Sequence, residues 1–391
     1  MPTDTILTLN AGSSSIKFAL YAASKSLDAH MHGQVESIGG SAILHVTAAN
    51  QKKATRPVDV KDHAGALRTI LDVVQSRASG ARVAAVGHRI THGGPDFAAP
   101  SILDAEGLTK LRGYIPWAPL HQPYNIAAVE GAIDVFPEAL QVGCFDTGFH
   151  HGHPWVNDAY ALPRRYYEQG LRRYGFHGLS YRSVSRQLAT LAPEIANGKV
   201  VIAHLGNGAS MCAIKDGKSV ASTMGFTALD GLAMGTRCGS IDPGVLLYLL
   251  QEDGLSPAQL NHVLYRESGL LGLSGIASDM RTLEASDAPE ARQAIDYFIH
   301  RIRSELGALA MTLGGLDALV FCGGIGENSP AVRAGVCREL QWLGIALDEQ
   351  ANRDNQTHIA SGATPVLVIK TDEEAVIATA ALNLLTAART A

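Results

Sequence analysis

The 391-residue chain is long enough for two or three domains at about 150 residues each. With 46% hydrophobic and 18% charged residues, it is neither a disordered nor a fibrous protein. A formal net charge of -5, with no long block of one sign, argues against a nucleic acid or an anionic membrane as main partner and favours small molecules.

Five scattered cysteines, Cys144, Cys212, Cys238, Cys322 and Cys337, form no C-x-x-C pair and read as reduced thiols of a cytosolic protein. The opening "MPTDTILTLN" lacks the basic and apolar regions of a secretory leader, and apolar helical stretches are broken by Gly or charge before membrane-spanning length. No Pro/Ser/Gly-rich linker interrupts the chain, so two domains are expected to pack tightly about a cleft.

The first strand runs into "LTLNAGSSSIKFAL". Beyond the turn, Ile16, Phe18 and Leu20 alternate with Lys17, Ala19 and Tyr21, a period of two that predicts a second strand and excludes the helix of a Walker-type loop. Arg82 to Val86 predicts another strand, opening into "GHRITHGGPD". There Arg89 has a glycine-flanked, non-helical setting in which a planar guanidinium clamps a carboxylate or phosphate, or simply forms an ion pair. Asp146 in "VGCFDTGFH" follows a strand-like run, where a carboxylate holds Mg2+ or caps a turn. "FHHGHP" sets His150, His151 and His153 close together without the convergent spacing or further ligand of a zinc site. His177 in "RRYGFHGLSY" is either a structural imidazole or a donor to a phosphoryl group.

From Val200 the opening grammar returns: an apolar strand, then Gly206-Asn207-Gly208, then a strand carrying Lys215. Asn10 and Asn207 stand about half a chain apart, which predicts an internal duplication with one glycine-bearing hairpin per half. Either turn alone reads as an ordinary hairpin. As a pair they read as a polyphosphate clamp, because backbone N–H groups with no Cβ between them approach phosphate oxygens. Arg237 in "GLAMGTRCGSIDPG" repeats the setting of Arg89. Ile295, Phe298, Ile299, Ile302, Leu306, Leu309 and Leu313 form a helical stripe ended by Gly314-Gly315. Leu316 to Cys322 predicts a buried strand, Gly323 to Gly326 a turn, and Asn328, Ser329 and Pro330 a helix start. That is a setting for a nucleotide contact, but too late in the chain for a dinucleotide fold. Glu373 and Glu374 in "VLVIKTDEEAVIA" are metal-associated carboxylates or first-turn helix acids.

As a set these segments resemble the acetokinase family, within the actin, Hsp70 and sugar-kinase superfamily. The matching runs are "LNAGSSSIKF", "GHRITHGG", "APLHQPYN", "FDTGFH", "YGFHGLS", "HLGNGAS", "GLAMGTR", "DPG", "FCGGIGENS" and "TDEE", in the family's order across essentially the whole chain. The resemblance implies an α/β fold of two duplicated ribonuclease H-like domains, mixed five-stranded sheets flanked by helices, with the active site in an interdomain cleft. It implies an N-terminal domain of residues 1-147, with a helix of about 375-391 packing back on it, and a nucleotide-binding domain of residues 148-374. It further implies a cytoplasmic, homodimeric phosphotransferase, binding neither nucleic acid nor membrane. The implied reaction is reversible transfer from ATP to acetate, giving acetyl phosphate and ADP, with Mg2+, for which Mn2+ substitutes.

Carried over residue by residue, the family pattern makes Asn10 and Glu373 metal-associated and Lys17 a nucleotide-phosphate contact, with Ser13 and Ser15 beside those phosphates. Arg89, Asp146, His177 and Arg237 become the catalytic set. The arginines hold the carboxylate and the transferring phosphoryl, and His177 its equatorial oxygens. Asp146 is the family's acid/base residue, yet chemistry favours it as an organiser of Mg2+ and Arg, since a carboxylate nucleophile is already ionised. The nucleotide would meet His204, Leu205, Gly206, Asn207 and Gly208, then Asp279, Met280 and Arg281, then Gly324, Ile325, Gly326, Glu327 and Asn328.

Around the acyl group the resemblance sets Arg89, Thr91, Leu120, His121, Phe176 and Ala228. Here Thr91 replaces the family's Val and Ala228 its Pro, while Cys238 and Ser240 replace Ser and Asp; Gln122, Tyr124, Leu179 and Tyr181 are also unusual. A smaller Ala228 admits an extra methylene, so propionate or another short-chain carboxylate is the in-class alternative. An ATP-driven conformational switch on the same fold is the alternative of another class, and it has no use for Arg89 and Arg237 around a small carboxylate.

Overall fold

The computed structural model describes residues 4–12, 14–49, 51–77 and 81–390; Ser13 lies outside them. The chain forms two compact units, Met1–Phe149 with Asp372–Ala391, and His150–Thr371. The second boundary falls just before the helix Glu373–Thr390, so Glu373 belongs with the first unit and not with residues 148-374.

The first unit is built on a sheet of eight strands: β1 (Asp4–Ala11), β2 (Ile16–Ala22), β3 (Ala29–Glu36), β4 (Ile43–Ala48), β5 (Ala54–Pro57), β6 (Arg82–Ile90), β7 (Ser101–Ile102) and β8 (Leu140–Phe145). Their order is β5-β4-β3-β2-β1-β6-β8-β7. One face carries Leu7, Leu9, Phe18, Leu20 and Val86 against Ala66, Leu67, Ile70, Leu71 and Val74, the apolar stripe of helix His63–Arg77. Strand alternation turns Gly87 to the other face, where the helix Glu373–Thr390 packs. A Cβ on Gly87 would lie 2.5 Å from Ile377 Cγ2, so only glycine lets this helix approach β6 so closely.

The second unit holds β9 (Lys199–Leu205), β10 (Ala209–Lys215), β11 (Lys218–Ser222), β12 (Ala318–Cys322) and β13 (Val366–Val368), in the order β11-β10-β9-β12-β13. Val201, Ala203, Leu205, Leu319 and Phe321 pack with Phe298, Ile302, Leu306 and Leu309 of helix Pro289–Leu313, which ends as its sequence stripe predicts, on left-handed Gly314.

The duplication is visible in topology. In both β3-β2-β1-β6-β8 and β11-β10-β9-β12-β13, two antiparallel pairings lead to a central strand and two parallel pairings follow. The first sheet exceeds the predicted five strands because β4 and β5 extend it at one edge and β7 at the other. A second difference concerns Gly323 to Gly326, which is not a turn but the start of helix Gly323–Asn328. The positive φ of Gly323, 76°, completes the reversal in one residue, and Glu327 Oε1 accepts its N–H at 3.0 Å. Among the described residues, no helix is long and apolar enough to cross a membrane.

Candidate active site

In the first unit the chemistry gathers at the carboxyl ends of the parallel strands, where open α/β sheets hold ligands. Asn10 stands one residue from the end of β1, Arg89 one residue from the end of β6, and Asp146 directly follows β8. Arg89 forks onto Asp146, with Nη2 2.7 Å from Oδ2 and Nε 3.1 Å from both carboxylate oxygens. Its Nη1 donates to Asn10 Oδ1 at 3.1 Å. Asn10 Nδ2 in turn donates to Glu373 Oε2 at 2.9 Å and to Glu374 Oε1 at 3.4 Å. Arginine only donates and a carboxylate only accepts, so both ends of the Asn10 amide are assigned.

This cluster sets three carboxylates against one guanidinium. Burial pushes the Asp146 carboxyl up, Arg89 pulls it down, and Glu373 pushes it up again. Burial, then Glu373, likewise raise Glu374, while Lys17 opposes them. Lys17 is exposed on β2, opposite Asn10 in the ladder, and the turn between them closes through Gly12 N–H donating to Ser15 O at 2.8 Å. Three carboxylates outnumber the Arg89 and Lys17 cations, so the cluster is net negative and repels an anion until that surplus is neutralised.

Thr91 is buried beyond β6, its N–H donating to Asn125 Oδ1 at 2.9 Å. Leu120 and His121 are half-buried at the entry to helix Gln122–Val135.

In the second unit His177 precedes helix Gly178–Leu191 with φ 57° and ψ 24°, a left-handed conformation that is uncommon for a side-chain-bearing residue and concentrates at functional sites. Its ring stacks on His204 at 4.3 Å between centroids, and its Nδ1 lies 2.8 Å from Ser210 Oγ. His204 Nδ1 lies 2.7 Å from Ser180 Oγ. A Cβ on Gly208 would meet His177 Nε2 at 3.2 Å and Arg237 Nη1 at 3.9 Å, so these two cationic or donor groups converge over a bare backbone. Arg237 Nη1 is steadied by Ala228 O at 3.0 Å. A Cβ on Gly206 would come within 3.7 Å of Gly324 N and 3.8 Å of His204 Nε2, which joins the hairpin Leu205 to Gly208 to the helix Gly323–Asn328.

Other expected residues are set differently. Phe176 lies within the second unit's core, with Ala228 half-buried against it. Asp279 caps the helix Met280–Glu284, Met280 is buried, and Arg281 is exposed and paired to Asp279 at 3.0 Å. This segment reaches the hairpin through its neighbour: a Cβ on Gly235 would meet both Asn207 Oδ1 and Ser278 O. Glu327 binds the backbone, accepting from Gly323 and Thr371 N–H groups, each at 3.0 Å; Gly324 and Asn328 are exposed, Ile325 is half-buried and Gly326 is buried. The histidines of "FHHGHP" separate: His150 Nδ1 and His153 Nε2 share the Ser219 hydroxyl at 2.8 and 2.7 Å, while His151 is exposed.

A family model described as the acetokinase family matches residues 5–379. The chain belongs to the acetokinase family. Among its relatives, the acetate kinase of Methylocella silvestris is 55% identical, covering 97% of this chain and 98% of that one. Two solved structures share the mixed α/β architecture. Porphyromonas gingivalis acetate kinase has a TM-score of 0.87 at 36% identity, over 98% of this chain and 100% of that one. A propionate kinase from Francisella tularensis has 0.89 at 35%, over 96% and 98%.

This acetokinase-family chain also carries supporting residues whose contacts its motifs do not show. Gln122 clamps the backbone after Arg89 from both sides, Oε1 accepting from His92 N–H at 3.2 Å and Nε2 donating to His92 O at 3.0 Å. Asn125 ties Thr91 to β1, its Nδ2 donating to Ala11 O at 3.1 Å. Glu374 joins the Asn10 cluster beside Glu373, and Ser210 and Tyr181 stand behind His177. In sequence, Glu374 reads as a metal-associated carboxylate or first-turn acid and Gln122 and Tyr181 as unusual residues in matching runs, while Asn125 and Ser210 carry no signal beyond their place inside "APLHQPYN" and "HLGNGAS".

Proposed function

We propose that this chain transfers a phosphoryl group reversibly between ATP and acetate, giving acetyl phosphate and ADP by in-line displacement. The convergence of His177 Nε2 and Arg237 Nη1 over Gly208 carries this reading, because it aims two donors at one point above a backbone that a phosphate can approach. Acetate arrives ionised, so the barrier lies in bringing one anion to another. Arg89 lowers it by countering the acceptor's charge, held in place by Asp146 and Asn10. His177 and Arg237 then take the charge that spreads over the transferring oxygens. Lys17 and the backbone of residues 204–208 and 324–328 serve the nucleotide phosphates, with Asp279 to Arg281 alongside.

Mg2+ fits the hard-oxygen surplus of the Asn10 cluster: Glu373 and Asp146 would hold it, braced by Asn10 and Arg89. When bound, it supplies the positive charge that screens the ATP phosphates, and Mg2+ ordinarily takes only one or two protein carboxylates beside phosphate and water. Asp146 therefore organises charge and carries no proton. Half-buried Ala228 leaves room for propionate, and one solved relative is a propionate kinase. We place the protein in the cytoplasm, consistent with five cysteines that form no disulfide, as a homodimer. Helix Pro243–Gln251 supports the dimer: it is apolar, has no buried position, and exposes Val245, Leu247 and Tyr248 for a second copy to cover.

Hydroxamate trapping of the acyl phosphate, with Mg-ATP and acetate, propionate or butyrate, tests the reading. Product from acetate with a smaller kcat/KM for propionate is expected. No acyl phosphate from any acid overturns it.

A further inference from the structure

We propose that Tyr181 and Ser210 form a hydroxyl relay that fixes His177 in the tautomer carrying its proton on Nε2, the nitrogen facing Gly208 and Arg237. The identity of the anion that this proton meets rests on the acyl-kinase reading; the relay itself rests on geometry.

Three side chains build it. His177 caps helix Gly178–Leu191, and Tyr181 lies one turn inside, its N–H donating to His177 O at 3.1 Å. Ser210 comes from β10 and stands between the two side chains, bonded to the Tyr181 hydroxyl and 2.8 Å from His177 Nδ1. Tyr181 and Ser210 are both fully buried, so water does not compete for their protons. On the far side of the imidazole, Nε2 reaches the point above Gly208 that Arg237 Nη1 also reaches. Stacking on His204 at 4.3 Å holds the ring plane between these two ends.

The acidities of the three groups favour one arrangement of the protons. A phenol is the stronger acid and serine oxygen the stronger base, so the Tyr181 O–H donates to Ser210 Oγ. Serine has one proton, which goes to the remaining neighbour, His177 Nδ1. That nitrogen accepts, and a neutral imidazole accepting at Nδ1 must carry its hydrogen on Nε2. The choice matters because the opposite tautomer would present a lone pair, beside Arg237, to an anionic oxygen. Tyr181 and Ser210 are thus positioning residues that act through His177.

The test combines ring spectroscopy with kinetics on the full chain. The 15N resonances of the His177 ring are read on histidine-labelled protein and assigned by their loss in His177→Asn. The wild type should show a protonated Nε2 and a bare Nδ1, and Ser210→Ala should average the two nitrogens. Tyr181→Phe should lower kcat about tenfold and Ser210→Ala about a hundredfold, the range of a general donor's contribution, with KM for acetate and ATP within about twofold. The double variant should be no slower than Ser210→Ala alone, since links of one relay are not additive. A wild-type ring protonated on Nδ1 overturns the proposal, as do unchanged kcat in both single variants or additive losses. If a variant fails to fold, the wild-type ring measurement decides alone. Absence of acyl phosphate formation by the wild type would overturn the acyl-kinase reading while leaving this turnover-free measurement intact.

Discussion

Arg89 and Arg333 each donate four hydrogen bonds, and their surroundings differ in kind. The Arg89 side chain keeps 20% of its surface exposed and meets Asp146 directly, with Glu373 and Glu374 close enough to act on its charge. Arg333 is 0% exposed and, among the described residues, meets no carboxylate: it donates to Asn352 Oδ1 and O at 2.7 Å, to Gly326 O at 2.8 Å and to Asn355 Oδ1 at 2.6 Å. Burial pulls its guanidinium down to about 10. One cation sits in a surplus of opposite charge with an opening to solvent, where an added ion changes the balance. The other is sealed among neutral oxygens and pins the Gly326 helix to the segment around Asn352. Burial alone therefore does not mark a functional charge; unbalanced partners do.

The widest separation between the two comes from removing each. Arg89→Ala should lower kcat by about 10³, roughly 4 kcal/mol of transition-state stabilisation, while the folded state persists. Near-normal turnover in purified Arg89→Ala would remove it from the mechanism. Arg333→Met should instead cost about 3 kcal/mol in urea unfolding, because four acceptors lose their donor, with kcat of the folded protein within about threefold. A stable but inactive Arg333→Met would erase the distinction.

Acid should probe the sealed kind of environment next. Burial drives His150 down to about 3 and His153 to about 4, against an ordinary value of 6.5. Below about pH 6.5 the unfolded chain takes up protons that the folded one refuses. Stability therefore falls as pH drops from about 6.5 to about 4, and is fully retained above that window. Thermal melts of His153→Asn should show a shallower fall; an unchanged slope would mean this pair does not govern it. The smallest effect concerns thiols. Burial pushes Cys212 and Cys337 up to about 12, whereas Cys238 is only half-buried. Iodoacetamide at pH 8, followed by mass spectrometry, should label Cys238 well before the other two. Equal rates would show that the second unit's core opens.

The charged, open cluster was the more legible in sequence. Asn10, Arg89 and Asp146 each stand in a glycine turn or at a strand end, Glu373 opens a helix after an apolar run, and the matching hairpins announced the repeat. Their connections were not legible, because Arg89 and Asp146 meet across β6 and β8, and Asn10 reaches a carboxylate 363 positions away. Arg333 was invisible, since an arginine following "ENSPAV" looks like a solvated helix position until its neutral partners appear. The extra edge strands were missed for a related reason: β5 is exposed at every position and β7 is only two residues long, so neither carries a sustained apolar alternation. The Tyr181–Ser210–His177 contact joins a helix to a strand through hydroxyls, which no periodicity records.

The partnership of Asn10 with Glu373 also has a temporal side. Residues 150 to 371 form one unbroken stretch, and that unit is complete in the nascent chain before the helix 373–390 is made. At ribosomal elongation rates of about 5 to 20 residues per second, Asn10 waits on the order of tens of seconds for its carboxylate partner. During that interval the face of β6 around Gly87 lacks the helix that will cover it. The first unit to begin synthesis is thus the last to finish, and premature termination before residue 373 would remove the carboxylate that Asn10 binds together with the cover over β6.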